Sequence, residues 1–169
     1  MCGLFAILEL SLSEDDGGVG ENSMISERRL AYASLIPGIL LSAALSRKDE
    51  YFAANFFFFL LPQLAVIAGV CLIRPRPGIV AGCALVLFAY LGIYAAWLFS
   101  RPHPESMAWL GYVFSVPGAL VGAISYGLWS VRRQAPSISR TVAYSAAAVL
   151  AGLAVFQGAL CSTLMYCRL

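Results

Sequence analysis

Charge is what this chain has least of. Of its 169 residues only 12% are Asp, Glu, Lys or Arg, one is histidine and the net charge is +2, while 60% are hydrophobic and the mean hydropathy is +0.81. That composition excludes a disordered chain, which stays unfolded by being polar, and a coiled coil, which needs charged flanks along its seam. It also excludes a basic nucleic-acid binder, because the few Lys and Arg are scattered between apolar blocks. No G-x-S-x-G, HExxH or phosphate-cradling glycine loop occurs. The five cysteines, Cys2, Cys71, Cys83, Cys161 and Cys167, form no CxxC pair and are expected to be free, small apolar residues. Neither catalysis, metal nor cofactor is expected from such an inventory.

What the chain has instead is apolar length. Five runs without a Lys, Arg, Asp or Glu extend from Leu30 to Ser46, Tyr51 to Ile73, Gly78 to Phe99, Met107 to Val131 and Thr141 to Cys167. A helix needs about 20 residues to cross the hydrocarbon of a bilayer, so the last four suffice and the first is at the lower limit. Uncharged helices satisfy their own backbone groups, as lipid requires. The fold expected is therefore all-α: a polytopic transmembrane helix bundle of five spans over residues 28–169, in contact with the lipid bilayer. The span count falls to four if the first run is a signal, with MISERR as its basic start and Ala44-Leu45-Ser46 as its cleavage site.

The remaining charge is unevenly placed. Six of the nine acids, Glu9, Glu14, Asp15, Asp16, Glu21 and Glu27, precede the first basic residue, Arg28. With Gly17, Gly18 and Gly20 they mark residues 1–27 as an acidic tail expected to be flexible. Its apolar start, MCGLFAILELSL, is too short to span and lacks a positive n-region. Translation from Met24 is an alternative expectation, on the hypothesis that a purine-rich ribosome-binding sequence encodes Gly20-Glu21. Across five spans, Arg28, Arg29, Arg74, Arg76, Arg132, Arg133 and Arg140 share one side, and Arg47, Lys48, Arg101 and Arg168 the other. Under the positive-inside rule the first side is cytoplasmic, as in a bacterial inner membrane with the N-terminus inside. Trp97, Trp109, Tyr51 and Tyr166 then mark the outer boundary and Trp129 the inner one.

Small residues predict where helices pack. Gly111, Ser115, Gly118, Gly122 and Ser125 recur at steps of three and four in the fourth run. Gly78, Gly82, Ala89, Gly92 and Ala96 do so in the third, and Ala147, Ala151, Ala154, Gly158 and Cys161 in the fifth. Such seams let helix backbones approach closely, the main source of attraction between helices in lipid. The second run instead crowds Phe56, Phe57, Phe58 and Phe59 into its outer half, a block that must in part face lipid or a partner.

Candidate polar groups are few. Pro37, Pro62 and Pro117 interrupt three runs and free the carbonyls of Ala33, Phe58 and Val113, while Gln63 and Gln157 lie near mid-depth. Kinks and structural hydrogen bonds are the ordinary roles of such residues. Tyr32–Ala43 and Tyr112–Ala123 align without a gap through a shared Pro-Gly, a pattern that an inverted transporter repeat or chance similarity would give. A homo-oligomeric carrier or channel would line its path with Pro37, Gln63, Pro117 and Gln157. The spans hold no carboxylate, Lys, Arg or His for a proton relay. His103 and Glu105, in the external SRPHPES loop, are too isolated for a metal site and read as solvated or as partner contacts. By elimination the expected function is non-enzymatic: contact, through the Phe block or this loop, with another membrane protein or a second copy, and none with nucleic acid. The layout resembles that of small polytopic immunity proteins that neutralise membrane-targeting bacterial toxins, which implies protection of a membrane by protein contact. An accessory subunit has the same layout.

Overall fold

Residues 29–46, 48–73, 76–101, 108–131 and 137–163 are described by a computed structural model, and the acidic tail lies outside them. They form helices and no strands. The helices are α1 (Ile36–Leu45), α2 (Phe52–Cys71), α3 (Pro77–Phe99), α4 (Ala108–Val131) and α5 (Ile138–Thr163). α2 to α5 contain 20, 23, 24 and 26 residues, each about 30 Å or more at 1.5 Å per residue. These four are long and apolar enough to cross a membrane, and Arg29–Leu45 is a shorter apolar helix.

Proline sets the starts. Pro77 occupies the first turn of α3, where a missing N–H costs nothing, after Arg76 in extended conformation. Pro37 does the same for α1, so the first run is broken by a turn at Ser34 and Leu35 into a short helical segment at residues 29–33 and a ten-residue helix. The expected mid-span kink at Pro37 is thus a helix start. Between α1 and α2 the Asp49 carboxylate accepts the Tyr51 amide at 3.0 Å, which turns the chain back. α5 begins at Ile138, three residues before the expected Thr141, and takes Arg140 into its first turn.

Neighbour pairs give the topology. Gly118 lies against Gly152 and Gly122 against Ala148, so α4 and α5 are antiparallel. Gly78 meets Thr141 and Gly82 meets Ser145, so α3 and α5 run parallel, as do α2 and α4 through Gly69 with Leu120 and Gly127 with Ile73. α1 packs on α2 and α3, with Gly38 at Gln63 and Gly92 at Leu41. Along the apolar stretches 56% of α3 and 50% of α4 are buried inside the bundle, against 22% of α2 and 17% of α5. The inner pair is therefore α3 and α4, and the core is built on Leu87, Leu91, Tyr112, Ala119, Ala123 and Val149.

The small-residue seams divide. In α4, Gly111, Ser115, Gly118 and Gly122 are buried as expected from their spacing, and only Ser125 is exposed. A Cβ at Gly118 or Gly122 would overlap the carbonyl oxygen of Gly152 or Ala148. In α3, Gly78 and Gly82 pack on α5 and Gly92 on α1, but Ala89 and Ala96 face outward. In α5 the expected stripe is on the wrong face: Ala147, Ala151, Ala154 and Gly158 are exposed, and no atom of another helix lies within 4 Å of a Cβ placed at Gly158. The buried seam runs instead through Thr141, Ser145, Val149 and Leu153, with Gly152 against α4, because these residues meet the glycines of α3 and α4. The two Pro-Gly segments occupy unlike places, since Tyr32 is 45% exposed and Tyr112 fully buried.

Gly122→Leu forces α4 off α5 and is expected to destabilise the bundle by about 1–3 kcal/mol or more. Gly158→Leu meets open space and should change stability by less than about 0.5 kcal/mol. Unfolding with dodecyl sulfate in mixed micelles measures both.

Candidate functional site

The polar side chains of the spans do not stay apart. Ser42 of α1, Gln63 of α2, Tyr90 of α3, Tyr112 and Ser115 of α4 and Gln157 of α5 meet in one layer, on the side of the bundle nearer Trp97 and Trp109. Ser42 donates to the Gly38 carbonyl at 2.8 Å and faces the Gln63 amide nitrogen at 3.4 Å. Gln63 also donates to the Phe59 carbonyl at 3.1 Å, and the Tyr112 hydroxyl reaches the same oxygen at 3.4 Å. Pro62 lies inside the continuous α2, and the side-chain bonds fall on the Phe59 carbonyl and not on that of Phe58, the one expected to be freed.

The other half of the layer centres on Tyr90. Its hydroxyl lies 2.7 Å from Ser115 Oγ and 3.2 Å from Gln157 Oε1, and Ser115 donates to the Tyr112 carbonyl at 2.7 Å. Tyr90 donates to Gln157 Oε1, whose amide nitrogen faces Cys161 Sγ at 3.9 Å, and Ser115 donates to the Tyr112 carbonyl. The two halves join where the Tyr90 and Tyr112 rings stack, 5.7 Å apart and 22° from parallel.

Above this layer the aromatic contacts continue to the end of the bundle. Tyr94 packs on Tyr112 at 6.1 Å and on Trp109 at 5.9 Å, and Trp109 meets Phe59 at 4.7 Å. Arg101 closes the stack with its guanidinium 4.0 Å from the Trp97 ring. Phe59 is therefore buried in the bundle and is not available to a partner, a correction to the Phe block as a single surface. Phe57 and Phe58 do face outward, and Phe56 is half-buried between Phe52 and Phe57.

Of the path residues, Gln63 and Gln157 belong to the layer, Pro117 lies on the outer surface and Pro37 in the first turn of α1, so the four do not line one channel. His103 and Glu105 lie outside the described residues. Cys71 and Cys83 are free, whereas Cys161 is disulfide-bonded, in contrast to the free thiol expected. Among the described residues no three His, Cys, Asp or Glu side chains come together as a metal site. Chemically the layer consists of hydroxyls, carboxamides and carbonyls, which fix helix positions and offer neither a nucleophile with a base nor an ion pair.

Sequence reading located Gln63 and Gln157 but missed Ser42, Tyr90 and Tyr112. The signal was present: a tyrosine in the middle of an apolar run needs a partner for its hydroxyl. Compared with protein-family models, curated proteins and solved structures, the chain matches none.

Tyr90→Phe and Ser115→Ala are expected to be coupled, by about 0.6 and at most about 1.7 kcal/mol in a double-mutant cycle, as interhelical hydrogen bonds in membranes are. Additive losses in the same micellar unfolding assay would show that the layer is not a network.

Proposed function

We propose that this protein is a non-enzymatic integral membrane protein that works by helix contact with another membrane protein, and that the outward face of α5 is its contact surface. One observation carries the reading: Ala147, Ala151, Ala154 and Gly158 form a stripe of small residues on an exposed helix face. Small residues at these spacings are what close helix approach in lipid requires, and at Gly158 no atom of another helix lies against the stripe. Phe57, Phe58 and Leu61, exposed on α2, are a second apolar surface of the same kind. An accessory subunit or an immunity-type protector against a membrane-targeting toxin would act in this way, and a second copy of the chain is the other occupant of such a face.

A bacterial inner membrane with the N-terminus inside is the setting we infer. Seven arginines against four basic residues support it, and so does cysteine chemistry. Cys161, near the end of α5 away from the arginine-rich side, is disulfide-bonded, while Cys71 and Cys83, toward the arginine-rich ends of α2 and α3, are free thiols. Disulfides persist outside the cytoplasm and thiols inside it. A homo-oligomeric carrier draws less support, since Gln63 and Gln157 are bonded within the bundle and Pro117 lies on its surface.

Ala151→Trp and Ala154→Trp should remove the companion protein from gentle detergent extracts while leaving expression and thermal stability unchanged, as mass spectrometry of the extracts will read. Recovery of the wild type alone as a defined oligomer with solute flux would instead favour the carrier. In intact cells a membrane-impermeant thiol reagent should label Ser137→Cys, in a chain with its other cysteines replaced, only after permeabilisation. Labelling before permeabilisation would reverse the orientation.

A further inference from the structure

At the arginine-rich end of the bundle two buried polar atoms lack a hydrogen-bond partner: Nη1 of Arg76 and the hydroxyl oxygen of Tyr126. Tyr126 is only 7% exposed, and its ring meets that of Tyr144, one turn on from Thr141, which packs on Gly78 two residues after Arg76. Thr141, buried beside them, gives its proton to the Ser137 carbonyl at 3.2 Å and closes no bond of ordinary geometry with Tyr126. Neither the Arg76 guanidinium N–H nor the Tyr126 O–H reaches an acceptor, and leaving such buried donors unbonded is costly.

The bundle itself has no acid to offer. Among the described residues the only carboxylates are Asp49 and Glu50, in the connection between α1 and α2 at the opposite end. Meanwhile the first turns of α3 and α5 lie side by side, with Gly78 against Thr141 and Ile138, and Arg76 caps α3 without a side-chain bond. Two adjacent helix N-termini add positive potential to that of the guanidinium. The site therefore fits an anion with several acceptor oxygens. Its depth identifies the source: Trp129 and Tyr144, whose rings lie 5.8 and 6.4 Å from Tyr126, are half exposed, and such rings sit at headgroup level.

We propose that Arg76 and Tyr126, with the first turn of α3, hold the phosphate of an anionic phospholipid headgroup. Arg76 Nη1 and the Tyr126 hydroxyl donate to its oxygens, and the acyl chains lie along the outer face of α4 beside Leu128, itself exposed. This role is separate from partner contact through α5 and stands whichever side of the membrane this end occupies.

Native mass spectrometry of the full-length protein in detergent, titrated separately with phosphatidylglycerol, phosphatidylcholine and inorganic phosphate, tests it. Phosphatidylglycerol should be retained, phosphatidylcholine retained about fivefold less and inorganic phosphate neither bound nor able to displace the lipid. Arg76→Gln should weaken retention about thirtyfold and Tyr126→Phe about threefold, while Arg140→Gln, on an exposed side chain of the same end, costs less than about threefold. Tyr126→Phe removes only an unpartnered hydroxyl, so it should leave lipid-free thermal stability unchanged or raised, and it carries the test if Arg76→Gln does not fold. Wild-type retention in Arg76→Gln or Tyr126→Phe would overturn the proposal. So would an Arg140→Gln loss as large as that of Arg76→Gln, which would show diffuse attraction. Displacement by inorganic phosphate would reassign the site to a free anion, and a tenfold gain on deleting residues 1–23 would assign it to the acidic tail.

Discussion

Backbone contact between α4 and α5 fixes the positions on which the rest of the bundle depends. Gly118 and Gly122 meet Gly152 and Ala148 so closely that no side chain fits between them, and contact of this kind is a main attraction available in lipid, where apolar burial between helices gains little. It also sets an antiparallel register. Eight residues beyond Gly118 is Tyr126, and eight before Gly152 is Tyr144, whose rings meet at 6.4 Å. In the other direction from the same glycine contact, α4 carries Ser115 and α5 carries Gln157 toward Tyr90. One close approach thus positions both the hydrogen-bonded layer and the arginine-rich end.

How much of this was legible depended on the residues opposite each seam. In α4 the face away from Gly118 and Gly122 carries Phe114, Val121 and Leu128, all outward, so the small residues had a single consistent face. In α5 small residues surround the helix: Ala143, Ala146, Ala147, Ala148, Ala151, Gly152, Ala154, Gly158 and Ala159. Its periodicity therefore has two solutions, and the choice between Ala147–Ala151 and Ser145–Gly152 is made by the glycines of α3 and α4, which spacing within α5 cannot reveal. The four long apolar helices were legible because charge is excluded from lipid whatever the packing. The layer was half legible, since an amide in an apolar run is conspicuous while a tyrosine passes for an anchor.

The closed layer also supports the proposed outward contact. Gln63, Tyr90, Tyr112, Ser115 and Gln157 bond to one another or to backbone carbonyls, and a ligand would have to displace those bonds in a low-dielectric interior where each is expensive to leave unmade. The least buried of the four long helices are α2 and α5, the two at the perimeter. Surface there can be covered by another protein without any cost to the interior, which is why contact is a more economical reading than passage through the centre.

Closure of the layer also draws in α1, the shortest helix. Ser42 is fully buried, and Gly38 has no Cβ because the Gln63 carboxamide occupies that space. Without α1, Gln63 would lose its serine and face lipid, and Gly92 of α3 would lose the Leu41 side chain that covers it. An amide turned in part to hydrocarbon, left with the Phe59 carbonyl and Tyr112, is what the interior otherwise avoids. The five-helix form is therefore the one in which the polar layer closes, and α1 belongs to the bundle through the same hydrogen bonding that joins α2 to α5.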